Sequence, residues 1–368
     1  MMKVLVLVGR YPDPDGTMAL RFIHVRNVAY KEHGIDVTVL SFTAKNDYTY
    51  ENIPVITCET FRKSKDKMRF DVLIAHQPNL KYHYRFLRQF GDMFPRFVFV
   101  FHGQEMLRIN RVYPKPYNDM RPTKWQSIMR DAYDTVKLRL WRSYLSRVSE
   151  KSQYWFVSQW MLNEVLKWTR LPFSVIQDRY AVVHNGIGAP FMRADYDDTS
   201  LKEYDFITIR NDLDGSKYCA DYVNALAKAN PDMRFLVIGK GEYFRRHQKA
   251  ENLFWQDRIL SHQEVLETIG KARCALMPTR QDTQGVMVCE LATTGMPVIT
   301  SDIPVCHEIV GTFANVALIS NDDVTVDLKA IRERLEAGMP YAKNRKYFDE
   351  NTSMVEVKLL ERFFSAEP

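Results

Sequence analysis

Met277-Pro278-Thr279-Arg280-Gln281-Asp282-Thr283-Gln284-Gly285-Val286-Met287-Val288-Cys289-Glu290-Leu291-Ala292-Thr293-Thr294-Gly295-Met296-Pro297-Val298-Ile299-Thr300-Ser301 reads as a strand end, a polar loop, a short helix and a new strand. The first strand ends at Pro278, the helix opens near Gly285 and stops around Gly295, and Pro297 starts the next strand. That succession is the repeating unit of a parallel sheet. A helix N-terminus carries about half a positive charge and free N–H groups, so it can hold a phosphate. Gly285 permits close backbone approach. Glu290, more than a turn inside the helix, could accept hydrogen bonds from ribose hydroxyls. A single glutamate on a helix is usually just solvated. The coincidence of a polar loop, Gly285, Glu290 and Gly295-x-Pro297 is harder to explain that way.

Outward from this stretch the same alternation recurs. Strands are expected at Lys3–Val8, Asp36–Phe42, Asp71–Ala75, Phe97–Phe101, Tyr154–Ser158 and Ala181–His184. A helical stretch, Arg21–His33, ends at Gly34. A second cycle has strands at Asp205–Arg210, Phe235–Ile238, Asn252–Trp255, Cys274–Met277, Pro297–Ser301 and Ala317–Ile319. Helices fall between them at Tyr218–Ala229, His262–Ala272 and Cys289–Thr294. This β-α-β alternation, run twice, predicts two doubly wound α/β domains, with a linker near Gly186–Glu203. Expected boundaries are 1–190, 191–350 and a final helical segment, 351–368. Ligands of such sheets bind beyond the carboxyl ends of the strands. Between them, Arg108–Lys151 interleaves cations with aromatic residues.

The 368-residue length fits two domains. A net charge of +6 suits phosphate-bearing small molecules, an anionic membrane face or nucleic acid, and does not choose among them. Five scattered cysteines without a C-x-x-C pair suggest neither a disulfide framework nor a zinc site, and a reducing cytoplasm is the simplest compartment. The apolar start, Met1–Val8, is too short for a signal peptide, and no stretch approaches the roughly 20 apolar residues of a spanning helix.

The segment from Asp282 to Val298 resembles the donor-site motif of glycosyltransferase family 4, the retaining GT-B enzymes, whose pattern is roughly Glu-Gly-Phe-Gly-x-x-x-x-Glu followed by Gly-x-Pro-Val. Glu290 matches the second Glu and Gly285 the second Gly, while Gly295, Pro297 and Val298 match further on. Asp282 stands where the first Glu is expected, and Thr283 and Val286 depart from the usual residues. The resemblance implies GT-B architecture, two Rossmann-like domains facing across a cleft. It implies a donor site built from Arg210, Lys217, Gly239, Gln284, Gly285, Val286 and Glu290, with Gly16 contributing from the loop after the first strand. The family's strand ending in Gly-Arg is matched at Phe206–Arg210, with Ile209 replacing the Gly. Its phosphate-binding Lys is matched by Lys217, and its strand ending in Gly-x-Gly by Val237–Gly241. Arg210 and Lys217 would neutralise the donor diphosphate. As isolated residues they are equally well read as surface cations. His102, after the strand Val98–Phe101, and Asp282 take the positions the family uses near the donor sugar. A lone histidine at a strand end more often satisfies backbone groups.

The implied activity is retaining transfer of a sugar from a UDP- or GDP-linked donor to a glycan or lipid-linked acceptor in bacterial surface polysaccharide synthesis. The implied place is the cytoplasm, peripheral on the inner face of the membrane, with an anionic membrane surface as a further partner. No metal, cofactor or nucleic acid is expected: Asp212-Leu213-Asp214 has D-x-D spacing, but lies between two cations. Arg108–Lys151, with its cations and tryptophans, could grip a lipid-linked diphosphate glycan at an anionic membrane face, or simply form a solvated amphipathic helix packed on the domain. Arg21, His24 and Arg26 could approach anionic acceptor groups, or simply form an exposed helix face. Rival readings are a catalytically silent GT-B-like glycan- or nucleotide-binding protein, supported by Asp282, and a nucleotide-sugar 2-epimerase, which should carry more acids and histidines. A nicotinamide-dependent dehydrogenase is opposed by Gly9-Arg10-Tyr11-Pro12 standing where G-x-G-x-x-G would be needed.

Overall fold

The computed structural model describes residues 1–14 and 20–365. Gly16 lies outside the described residues. The chain forms two compact units. Unit 1 comprises Met1–Arg108, Asp131–Gly186 and Phe348–Pro368; unit 2 comprises Ile109–Arg130 and Ile187–Tyr347. The segment Ile109–Arg130, which a simple boundary at 190 assigns to the first domain, thus belongs with unit 2.

Unit 1 contains an eight-stranded sheet built from β1 (Lys3–Val8), β2 (Asp36–Ser41), β3 (Tyr48–Tyr50), β4 (Ile53–Ile56), β5 (Val72–His76), β6 (Phe97–Phe101), β7 (Ser152–Phe156) and β8 (Tyr180–Val182). Their order is β3-β4-β2-β1-β5-β6-β7-β8, parallel except for β3. Strands buried on both faces need apolar residues at every position, which Val4–Val8 and the Phe/Val run of β6 supply. Alternate side chains separate to the two faces. Val98 and Val100 join Val4, Val6 and Val8 against Ile23 and Tyr30 of the helix Arg21–Glu32 and Val357 and Leu360 of the helix Ser353–Ser365. On the other face Phe99 meets Trp141 and Tyr144 of the long helix Lys124–Arg147.

Unit 2 contains a parallel six-stranded sheet of β9 (Tyr204–Asp212), β10 (Phe235–Lys240), β11 (Leu253–Gln256), β12 (Ala272–Leu276), β13 (Val298–Ser301) and β14 (Val316–Ile319), in the order β11-β10-β9-β12-β13-β14. Its helices start and stop where the side chains dictate. Ser261 accepts from Glu264 N while the Glu264 carboxylate reaches back to Ser261 N, a capping box opening the helix His262–Ile269. Gly295, at φ 88°, ends the helix Val286–Thr293 in the left-handed region.

One feature departs from expectation. The hairpin β3–β4 turns through Glu51 and Asn52, both at positive φ. Its strands are three and four residues long and contain Pro54, so no alternating pattern announces them. The mixed stretch 108–151 does contain the helix that was one of its two readings, as a continuous 24-residue element, Lys124–Arg147. Among the described residues no helix is long and apolar enough to cross a membrane. The five cysteines are unpaired, and all but Cys58 are buried.

Candidate functional site

Arg210 lies near the carboxyl end of β9, and its guanidinium is drawn inward. Its Nη2 donates to the carbonyls of Met277 (3.0 Å) and Pro278 (2.8 Å), where β12 runs out. Those two bonds tie the head of the loop 279–285 to the central strand. Burial lowers the guanidinium's pKa, and the nearby Asp282 carboxylate opposes that shift. The Arg210 Nε is buried and has no hydrogen-bond partner among the described residues. A buried donor without a partner is costly and often marks a place where something else binds. Gly239 explains how the strands allow this. A Cβ there would collide with the Arg210 carbonyl oxygen and stand 3.0 Å from Leu213, at the irregularity where the β9–β10 register shifts. Gly239 therefore acts by letting the two backbones approach.

Below Pro278 the loop is pinned on both sides. Thr279 N donates to Ser301 Oγ (2.7 Å) and Asn321 Nδ2 donates to the Thr279 carbonyl (3.0 Å). Arg280 N and Thr279 Oγ1 both donate to the Lys217 carbonyl, at 2.8 and 3.1 Å, so the turn carrying Lys217 is fastened to this loop by backbone. The Lys217 side chain is left to its own task. Its Nζ lies 4.4 Å from the Tyr218 ring centroid and 5.6 Å from that of Tyr113, with no acid paired to it among the described residues. Asp282 accepts from Thr283 N (2.8 Å), and its Oδ2 stands 3.3 Å from where a Gly285 Cβ would project. Gln284 and Gly285 are buried, and Val286 is half-buried. Gly285 is the N-cap of the helix Val286–Thr293, and no side chain caps it, so that helix presents its first N–H groups with their partial positive charge to the loop. Arg210, Lys217, Asp282 and an uncapped helix start thus belong to one strand-end region of unit 2.

Sequence reasoning missed Arg280, which pairs in parallel with Asp221 (Nη1–Oδ1 and Nη2–Oδ2, both 2.8 Å) and also donates to the Ser216 carbonyl. Tyr117 reaches the same carboxylate at 3.2 Å. This clamp holds the Lys217 turn to the loop, and no spacing rule links residues 117, 221 and 280. Asp212 and Asp214 serve their own turn: Asp212 accepts from Asp214 N, and Asp214 from the amides of Glu242 and Tyr243.

Glu290 is buried. Its Oε1 accepts weakly from Gly188 N at 3.4 Å and lies 3.8 Å from His262 Nε2. Its carboxylate therefore sits beside the start of the 187–347 run of unit 2, next to an imidazole that sequence reasoning did not connect with it.

In unit 1, His102 follows β6 and His76 ends β5. Adjacent parallel strands bring the two rings together, His76 Nδ1 to His102 Nε2 at 3.0 Å. Burial, with a smaller contribution from the Arg26 charge, drives both imidazoles well below their ordinary range, so both are neutral near pH 7. The turn after His102 is held by Glu105, whose carboxylate accepts from His102 N and from Gly103 N (2.9 Å). Burial raises the Glu105 pKa, and these backbone N–H groups partly offset it. The signal for His76 was available: it closes an apolar strand run as His102 follows one.

His24 and Arg26 are not on an exposed face. His24 lies between Tyr11 Oη (2.8 Å) and Glu51 Oε2 (2.9 Å). Arg26 Nε donates to both oxygens of Glu356 (2.8 and 3.0 Å), its Nη1 donates to Asn185 Oδ1, and Tyr30 Oη donates to the same Glu356 (2.6 Å). Both ion-pair partners are about 1% exposed, so Arg26 fastens the last described helix to the first.

Residues 208–336 match the family model for glycosyl transferases group 1. Several solved structures superpose over essentially the whole chain. Sucrose-phosphate synthase from Thermosynechococcus elongatus matches with a TM-score of 0.72 at 11% identity, covering all of both chains. TarM matches with a TM-score of 0.65 at 8% identity, covering 100% of this chain and 99% of its own. A glycosyltransferase from Rickettsia africae reaches 0.63 at 11% identity, with 100% and 99% covered. No curated protein matches the sequence. At such identities the structural likeness carries the fold, which is GT-B. The matched residues, 208–336, span the strand-end region just described.

Proposed function

From a group 1 glycosyl transferase domain on a GT-B fold, we propose that this protein transfers a sugar, with retention, from a UDP- or GDP-linked donor to a glycan or lipid-linked acceptor in bacterial surface polysaccharide synthesis, at the cytoplasmic face of the membrane. The observation that carries the donor half is Arg210, a buried cation with an unpartnered Nε, beside the acid-free ammonium of Lys217 and an uncapped helix N-terminus. A sugar leaves a nucleoside diphosphate as negative charge builds on the phosphate. Arg210, Lys217 and the amides after Gly285 meet that charge in fixed positions, so little reorganisation is needed as it develops. Protein cations thus supply the positive charge, and the reading assigns no metal to the step. Asp282 and neutral His102 are assigned to the donor sugar, His102 as a hydrogen-bonding group, since an imidazole held far below its usual pKa does not act as a cation near pH 7. Gln284, Val286, Gly239 and Glu290 shape the nucleotide side.

The test is a thermal-shift screen with UDP, GDP and their common sugar conjugates, in the presence of EDTA. A ligand at 100 times its Kd adds about 2.7 kcal/mol of stability. A shift with one nucleotide family that survives EDTA supports the reading and names the base. No shift with any of them overturns the donor assignment.

A further inference from the structure

The helix Lys124–Arg147 buries one face normally: Leu138, Trp141 and Leu145 pack inward, with Asp134 and Lys137 joined at 2.7 Å beneath them. Its opposite side is where charge belongs. Instead Trp125, Ile128, Met129, Tyr133 and Val136 stand there, 43–68% exposed. At 3.6 residues per turn these positions share one side of the helix. A contiguous exposed apolar row of this kind marks a surface that is covered in use.

Further along, the same helix turns basic. Arg139 and Arg142 line a pocket of about 330 Å³ together with Arg108, Thr135, Lys167 and Arg170, the last just past the helix Gln159–Thr169. No acid lines it. Lys167 is paired with Glu164, and Arg108 donates to Thr135 Oγ1. Arg139, Arg142 and Arg170 have no acid partner among the described residues. Three unpaired guanidinium groups around one hollow repel one another, and an anion with several acceptor oxygens relieves that repulsion.

We propose that this side of the helix lies on an anionic phospholipid surface, its apolar row entering the headgroup–acyl boundary and its basic pocket holding a lipid phosphate. The two halves of the pattern select the partner together. A nucleic acid or a soluble phosphate compound would satisfy the arginines and leave the apolar row in water. A neutral apolar partner would leave the arginines unpaired. A bilayer with anionic headgroups meets both. The inference deepens the proposed function by locating its membrane partner. It rests on that reading for the acceptor's presence at the membrane, while donor binding by unit 2 is read out separately.

The experiment is vesicle co-sedimentation of the full chain, with neutral phosphatidylcholine vesicles and with vesicles containing about a third phosphatidylglycerol. The expected result is strong partition to the anionic vesicles only. Arg139→Glu/Arg142→Glu should weaken it about 30-fold or more, since each cation near such a surface is worth close to a factor of five. Trp125→Ser/Ile128→Ser, at exposed positions, should weaken it comparably. The nucleotide-induced thermal shift of both variants should match that of the unaltered chain. Equal partition to both vesicle types, or anionic binding indifferent to both pairs of substitutions, overturns the proposal. So does a charge-dependent thermal shift with inorganic pyrophosphate without vesicle binding, which would identify a soluble phosphate ligand. Vesicle binding without any nucleotide shift would overturn the donor reading and leave this surface standing.

Discussion

Replacing Lys217 with alanine separates ligand binding from folding more cleanly than any other change at the candidate site. The Lys217 carbonyl carries the structural bonds, from Arg280 N and Thr279 Oγ1, and alanine keeps it. Among the described residues the Lys217 ammonium meets the rings of Tyr218 at 4.4 Å and Tyr113 at 5.6 Å. Each such contact at an accessible site is worth about 0.5–1 kcal/mol, so the free protein should lose no more than about 2 kcal/mol. A charge-assisted bond to the donor diphosphate is worth about 1.5–3 kcal/mol, which raises the donor Kd roughly 10- to 150-fold. With donor held at 100 times the original Kd, ligand stabilisation of about 2.7 kcal/mol falls to about 1.4 for a tenfold weaker Kd and about 0.4 for a hundredfold one. Titration calorimetry with the responding nucleotide sugar, beside melting curves with and without it, measures both quantities. A Kd within threefold of the original would remove Lys217 from the diphosphate site. A large loss of stability in the free protein would show that the ring contacts, and not the ligand, explain its position.

Glu356→Ala should destabilise unit 1 by about 3–5 kcal/mol in urea unfolding, because it leaves the Arg26 charge buried with only Asn185 for company. Glu356→Gln, which keeps the shape, should cost less. Gly239→Ala should lower both stability, by about 1–3 kcal/mol, and donor affinity, because the methyl group displaces the strand that carries Arg210; unchanged nucleotide affinity would disconnect the two. Burial holds His83 at a pKa of about 4, against about 6.5 unfolded. The unfolded chain therefore takes up the proton first as pH falls, and stability present above pH 6.5 drains away down to about pH 4, by up to about 3 kcal/mol from this residue. His76 and His102 act in the same direction. His83→Gln should flatten that slope in urea unfolding followed from pH 7 to pH 4; an unaltered slope would show that the imidazole is not the group responsible.

Much of the fold was legible because both sheets are parallel and buried, so their strands are written as apolar runs. Lys3–Val8 and Phe97–Phe101 were read to the residue. The hairpin at residues 48–56 was not, since it sits at a sheet edge, is short, and turns through a glutamate at positive φ. The helix 124–147 was legible only as one of two readings of the stretch 108–151, without its bounds, for a different reason. Its solvent side is apolar and its buried face includes Asp134 and Lys137, so its pattern lacks the usual contrast. At the candidate site, local motifs pointed to Arg210, Lys217 and the loop before Gly285. Arg280 with Asp221 and Glu290 with His262 were out of reach, because each pair joins residues at separations no periodicity encodes. Arg26 shows the converse risk: a cation on a helix that looks exposed in sequence is committed to a carboxylate 330 residues away.

That last pairing bears on how the chain is made. Residues 187–347 of unit 2 form one uninterrupted run, closed where Ile187 N meets the Tyr347 carbonyl at 3.2 Å. Unit 1 is begun first and completed last. On a ribosome its sheet strands emerge well before Ser353–Ser365, and until that helix arrives Arg26 and Tyr30 wait without Glu356 and the core residues around Val4 and Ile23 lack Val357 and Leu360. For the whole time needed to synthesise unit 2, about 8–30 s at 5–20 residues per second, the amino-terminal half is an open sheet in need of protection. A stop codon or frameshift late in the message would therefore injure the first-made unit and spare the later one.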